Sequence, residues 1–326
     1  MVHAADAAQT VLTIAHGAPH GGDGWVPRPG TTADELGSIW SDVGVTSEVG
    51  TLRAVLMRRP GREIELVEDP ASALWFAKLD PERARAQHDA LADLYRSYDV
   101  AVHYVDDAAL DKPNAYFCRD QFAMTAHGAI LARPASASRA GEERAVAVAL
   151  AKAGVPILHS VHGAGTFEGA DVVVVNEDLV FVGEGMRTNA AGAAQVAQVY
   201  RDCGVPQVEI VHLPYGTGHI DGCLNLVDRD LAVLFPTQIA YRVYELLRRH
   251  GYRILDIPDL DETLNGMAIN MVPLAPGVVA MPAGNPRTVA ALEANGVECL
   301  PIDVSELMKG AGSVHCMTGV LKRDRV

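Results

Sequence analysis

The chain has 326 residues, 49% of them hydrophobic and 21% charged, with a formal net charge of −14 and five widely spaced cysteines. This is the balance of a globular chain with a large core, and its acidity, with no Lys/Arg block anywhere, excludes a nucleic-acid partner and suits a small cationic one. An odd cysteine count without zinc spacing excludes a disulfide framework and a structural metal, and suits a reducing, cytoplasmic location.

Residues 1–40 read as a Gly/Pro-rich arm with no cationic leader and no apolar run long enough for a membrane span, and His16 and His20 there read as tail histidines. Residues 41–326 read as one catalytic domain. Its first unit is a strand, "AVLMRRP", a helix, "DPERARAQHDALADLYRSYD", and a second strand, "VAVHYVD". Four similar units follow. Strands "GAILARP", "LVFVGEG", "LAVLFP" and "GVVAMPAG" precede helices that close on Gly154, Gly204, Gly251 and Gly296, residues suited to a left-handed C-terminal turn. β-rich segments then begin at Val155, Val205, Tyr252 and Val297. Counted from Val100, these starts are 55, 50, 47 and 45 residues apart, a near-constant period that marks repeated supersecondary units. The predicted fold is α/β, a five-bladed pseudo-symmetric α/β propeller with its helices outside.

Equivalent loops of such an array point to the same end of the axis. Their polar segments are in phase: "FCRD" (117–120), "TFEGAD" (166–171), "GHIDG" (218–222), "NGMAIN" (265–270) and "SVHCMTG" (313–319). The period therefore carries Asp120, Glu168, Asp171, His219, Asp221, Asn270 and Cys316 to one place. A cysteine with a separate histidine is a nucleophilic set, but surrounding carboxylates raise a thiol's pKa and blunt it. The set makes chemical sense if the substrate brings a delocalised cation, and a guanidinium presents a planar fork of donors that matches carboxylates. Adjacent strand residues face opposite ways, so His315 reads as structural, and Arg119 as the partner of an internal ion pair. The other four cysteines read as packed thiols.

These residues resemble the guanidino-group-modifying enzyme superfamily, which includes arginine deiminases, dimethylarginine dimethylaminohydrolases and amidinotransferases. The likeness spans roughly residues 42–324 and rests on "PNAYFCRDQF", "TFEGADVVVV", "GHIDG" and "HCMT". The family fold is a five-bladed, pentein-like propeller. The resemblance implies that Cys316 attacks the guanidinium carbon, leaving a covalent amidino-cysteine intermediate, and that His219 protonates the leaving nitrogen and then activates water. It implies that Asp120 and Asp221 grip the guanidinium nitrogens, that Glu168 orients and relays protons, and that Asp171 anchors His219. Arg139 and Arg187 stand where relatives bind the substrate carboxylate, and Asn114, Asp171 and Asn270 join the substrate-binding set.

The branch stays open. Only about 50 residues separate the first strand from the Arg-Asp segment, too few for the deiminases' inserted helical domain, and Ala311 stands where deiminases carry an arginine. Dimethylarginine hydrolases share "RPASASR" and "RTNAAGA" but have His-x-Lys at His219-Ile220-Asp221. Amidinotransferases share His-x-Asp but have Asp at Glu168. The first reading is a cysteine-dependent hydrolase of arginine or a close analogue, giving a ureido product such as citrulline and possibly ornithine beyond it. The alternatives are a dimethylarginine dimethylaminohydrolase and an arginine-dependent amidinotransferase. The carboxylates are engaged by the substrate cation and no phosphate-binding glycine loop follows a strand, so neither a metal nor a cofactor is expected. Neither is a membrane partner; a homo-oligomer stays open.

Overall fold

The computed structural model describes residue 21, residues 24–106 and residues 109–326; most of the expected arm, including His16 and His20, lies outside them. The chain divides into two compact units, Met1–Glu35 and Leu36–Val326. The second carries every strand and helix described.

Its elements follow the predicted period. The first unit is strand β1 (Leu52–Met57), helix α1 (Pro81–Ser97) and strand β2 (Ala101–Tyr104). The second is β3 (Phe122–Met124), β4 (Ala129–Leu131), α2 (Glu142–Lys152) and β5 (Ile157–Ser160). The third is β6 (Val172–Asn176), β7 (Leu179–Glu184), α3 (Ala190–Asp202) and β8 (Gln207–His212). The fourth is β9 (Leu224–Asp228), β10 (Leu231–Leu234), α4 (Tyr241–Arg249) and β11 (Arg253–Asp256). A short helix, α5 (Leu260–Leu264), leads into the fifth: β12 (Val272–Ala275), β13 (Val278–Pro282), α6 (Pro286–Ala294) and β14 (Glu298–Ile302). The last strand, β15 (Gly319–Arg323), returns to pair with β1.

Local chemistry explains the helix ends. Asp80 accepts hydrogen bonds from the amides of Glu82 and Arg83 at the start of α1, and Asn189 accepts one from Gly192 in the first turn of α3. The four helix-ending glycines all adopt the left-handed conformation, with φ of 71°, 94°, 86° and 87° at Gly154, Gly204, Gly251 and Gly296. In the first unit Asp99 takes that place at φ 57°, a conformation that a short polar side chain tolerates.

The strands form five separate three-stranded sheets, none closed on itself: β15-β1-β2, β3-β4-β5, β6-β7-β8, β9-β10-β11 and β12-β13-β14. In each, the middle strand runs antiparallel to one neighbour and parallel to the strand that follows its helix. Middle strands covered on both faces are continuous apolar runs; Leu179–Val182 and Leu231–Leu234 are buried throughout. Successive sheets touch: β15 packs on β3, the turn before β6 on β3, the turn before β9 on β6, β12 on β9, and β12 also on β1.

Short 3₁₀ turns sit just ahead of β3, β6 and β9 and carry the polar segments: Cys118–Gln121, Gly169–Asp171 and Ile220–Gly222. The first two pack so closely that a methyl group at Gly169 would lie 2.1 Å from the carbonyl oxygen of Phe122 and 2.5 Å from that of Arg119. Glycine at 169 thus lets the loop bearing Glu168 approach the loop bearing Asp120.

Candidate active site

Cys316 sits in a turn three residues before β15 begins at Gly319, so the strand alternation expected at His315 does not apply. Asn270 holds this turn. Its carboxamide oxygen accepts from the amides of His315 (2.8 Å) and Cys316 (3.4 Å), and its nitrogen donates to the Cys316 sulfur at 3.1 Å. Burial first, then the negative charges of Asp120 and Asp221, push the Cys316 thiol up to about 12. The resting sulfur is a thiol.

His219 shares a small polar cavity with Cys316. Its Nε2 lies 2.8 Å from Glu168 Oε2 and its Nδ1 4.0 Å from Asp120 Oδ1. Burial alone would lower its pKa, but the charges of Asp120, Asp171 and Glu168 and the Glu168 hydrogen bond outweigh that and raise it to about 10. Burial opposes ionisation of Glu168 too, and the contact with His219, with Arg139 and Arg187 beyond it, nonetheless holds its carboxyl far below the usual range. The pair rests as imidazolium and carboxylate.

Arg139 is buried, not solvated. Its Nε and one terminal nitrogen donate to Glu142 Oε2 at 3.0 and 2.9 Å; the other reaches Asp120 Oδ2 at 2.6 Å and Glu168 Oε2 at 3.4 Å. Gln121 donates to the same Glu142 oxygen at 2.7 Å. The expectation that Arg139 awaits a substrate carboxylate therefore changes: three protein carboxylates already satisfy its fork. Arg187 pairs with Glu168 at 3.2 Å but keeps 21% of its side chain exposed, so it is the cation that faces the cavity. Asp120 keeps one oxygen, Oδ1, buried and without a hydrogen-bond partner. An orphaned acceptor of this kind is where an incoming N–H donor gains most.

Asp171 is also corrected. It lines neither cavity, is fully buried, and accepts from the Thr188 hydroxyl at 2.6 Å and the Ile220 amide at 3.1 Å. It fixes the backbone beside His219, while Glu168 holds the imidazole itself. Asp221 is buried with Oδ2 3.1 Å from His315 Nδ1 and 3.6 Å from Arg119 Nε. Burial would raise its pKa, but His315 and Arg119 lower it, so it stays ionised. Arg119 makes the expected internal ion pairs, with Asp221 and with Glu48 at 3.6 Å, and donates to the Val172 carbonyl. Asn114 lines the small cavity but both ends of its amide are engaged, by Trp75 Nε1 (2.6 Å) and the Ala73 carbonyl (2.8 Å).

Two cavities meet at Gly218, His219, Ala311 and Cys316. The smaller, ≈ 100 Å³, is walled by Asp120, Arg139, Arg187, Asn114, Phe117 and Leu74 among others. The larger, ≈ 320 Å³, extends between the loops of the fourth and fifth units. Three non-glycine residues with left-handed backbone line them: Leu74 (φ 62°), Met267 (φ 49°) and Ala311 (φ 66°). Sequence reading missed these walls, since nothing in a leucine or methionine signals such a backbone. It also missed Glu142, although the Arg139-x-x-Glu142 spacing at a helix start was a usable sign.

Asp120, Glu168 and His219 offer ligand atoms within 4.8 Å of one another. They do not suit a metal ion: Arg139 occupies two of the carboxylates, and a protonated imidazole has no lone pair to give.

The family model described as N,N dimethylarginine dimethylhydrolase, eukaryotic, matches residues 77–323. A dimethylarginine dimethylaminohydrolase of Streptomyces coelicolor is 28% identical, over 82% of this chain and 96% of its own. An arginine deiminase of Mycolicibacterium gilvum is 27% identical, over 86% of this chain and 98% of its own. The solved dimethylarginine dimethylaminohydrolase of Pseudomonas aeruginosa, in a complex with citrulline, superposes with a TM-score of 0.68 at 25% identity, covering 83% of this chain and 99% of that one. An amidinotransferase of Microseira wollei shares the fold, with a TM-score of 0.69 at 17% identity over 87% of this chain and 98% of that one.

Proposed function

Because the chain belongs to the N,N-dimethylarginine dimethylhydrolase family, within the guanidino-modifying superfamily, we propose that it is a cysteine-dependent hydrolase of arginine or a close guanidino analogue. The observation that carries the reading is the Cys316 thiol beside a buried His219–Glu168 ion pair, with an unpartnered Asp120 oxygen facing them. A guanidinium donating to Asp120 Oδ1 cancels the negative field that keeps the thiol protonated. The thiol gives its proton to solvent water and the sulfur adds to the guanidinium carbon; the C–N bond then breaks as His219 gives its proton to the leaving nitrogen, which departs as ammonia or an amine. Neutral His219 next takes a proton from water. The hydroxide adds to the amidino carbon, the C–S bond breaks, the hydroxyl proton returns through solvent to re-form the Cys316 thiol, and a ureido product leaves.

Arg187 anchors the substrate's carboxylate, and Asp221 adds negative potential from behind Cys316. Asn270 steadies the sulfur, and Asn114 and Arg139 shape the cavity wall. We also read the five sheets, each touching the next, as blades of a closed five-bladed propeller, with the catalytic loops at one end of its axis. The family match favours a methylated arginine as a second substrate.

The test incubates the full chain with arginine, methylated arginines, agmatine and guanidinoacetate, with and without glycine or lysine, and resolves products by mass. A ureido product without acceptor is expected. Transfer of the amidino group to the acceptor would instead make it an amidinotransferase.

A further inference from the structure

Cys316 and His219 stand on the partition between the two cavities, so a guanidinium carbon held at the sulfur has one nitrogen directed to each side. The small cavity has the exposed cation, Arg187, and so takes the anionic arm of the substrate. Nothing in the reaction just described needs the other cavity. Yet it is about three times larger, and ≈ 320 Å³ lies in the range of small-molecule sites, where one water takes up about 30 Å³.

Its chemistry narrows the occupant. No Lys or Arg lines it, and its charged groups, His219 and Asp221, are both at the inner end. Beyond them Phe235, Ile269, Met267, Leu264 and Cys223 supply the apolar wall, and the polar groups, Thr217 donating to Gln238 at 2.6 Å, with Thr263, Asn270 and Tyr215, are all uncharged. Such a lining rejects an anion and takes an uncharged, largely apolar group. Met267 and Ala311, on its wall, hold left-handed backbone conformations that cost energy in a non-glycine residue and persist where a site is shaped.

We propose that this cavity is a leaving-group subsite and that the enzyme acts on Nω-substituted arginines whose substituent is an uncharged alkyl group well larger than methyl. The substituted nitrogen lies at His219, takes its proton as the C–N bond breaks, and departs into the cavity as a neutral alkylamine. The exit passes Leu264, 58% exposed, and the fully exposed Tyr215.

The proposal rests on the guanidino-hydrolase reading, and the experiment separates the two. Full-length enzyme is assayed with arginine, Nω-methylarginine, Nω-butylarginine and Nω-(3-carboxypropyl)arginine, with amine release measured by mass. The expected result is a kcat/KM for the butyl compound within about tenfold of the methyl one and at least about tenfold above its carboxylate isostere. Turnover of arginine or methylarginine with the butyl compound more than about a hundredfold slower overturns this proposal alone. No turnover of any of the four overturns both. Leu264→Trp at the mouth and Ile269→Phe inside should each lower the butyl-to-methyl ratio about tenfold, a comparison within one protein from which loss of folded enzyme cancels. An unchanged ratio in both variants also overturns it.

Discussion

Cys316 is a nucleophile only when something alters its surroundings. A thiol held up to about 12 by burial and by Asp120 and Asp221 is roughly 10⁻⁵ thiolate at pH 7, so iodoacetamide should label it slowly there, with a rate rising about tenfold per pH unit through pH 9. An unreactive guanidinium that leaves the sulfur open should accelerate labelling at pH 7, and Asp120→Asn should weaken that acceleration. Peptide mass spectrometry at Cys316 reads both; full labelling of the free enzyme at pH 7 would replace this account with a resting Cys316–His219 ion pair. Cys316→Ser should fold normally, as judged by circular dichroism, and lower kcat at least about a thousandfold. Chelators should leave kcat unchanged, since Arg139 and the protonated His219 exclude a metal from the three ligand positions; a loss restored by a divalent ion would refute that.

At the scale of elements, α1 carries an acid-sensitive group into the core. His88 is fully buried, neither ring nitrogen has a hydrogen-bond partner, and burial pulls its pKa down to about 4. The unfolded chain binds a proton near 6.5 and the folded one does not, so stability falls as pH drops from 6.5 to 4, by on the order of 3 kcal/mol in all. His88→Leu should flatten the denaturation midpoint across that window; an unchanged slope would mean the ring is solvated. The approach of two turns at Gly169 is a backbone contact that no side-chain rotation relieves. Gly169→Ala should therefore destabilise the fold by roughly 1–3 kcal/mol and lower kcat by separating Glu168 from Asp120, measured by urea denaturation and steady-state kinetics.

The whole molecule is joined through its first sheet, where β15 from the end of the chain lies antiparallel to β1 from its beginning. β15 contributes buried Val320, Leu321 and Arg323, whose guanidinium donates to the carbonyls of Gly50 and Pro273. It also follows Cys316 directly, so the closing strand and the reactive turn are one segment. Removing residues 319–326 should abolish the cooperative thermal transition rather than shift it by a few degrees. A truncated chain that still melts cooperatively would show that the remaining sheets hold together without this strand. Among the described residues no helix is long and apolar enough to cross a membrane.

The 45-to-55-residue rhythm, the helix ends at Gly154, Gly204, Gly251 and Gly296, and the meeting of Asp120, Glu168, His219 and Cys316 were all legible in the sequence. Each depends on local chemistry: a residue's backbone freedom, or a phase that repetition carries around the chain. The pairing of side chains inside the cluster was not legible. That Arg139 lies on Asp120, that Asp171 holds Thr188 and Ile220 instead of the His219 ring, and that Cys316 divides two unequal cavities were decided only by the tertiary structure. A repeat brings loops together to within a side chain's length, whereas ion pairing and cavity shape depend on differences of an ångström between side chains of different loops, which no repeat period encodes.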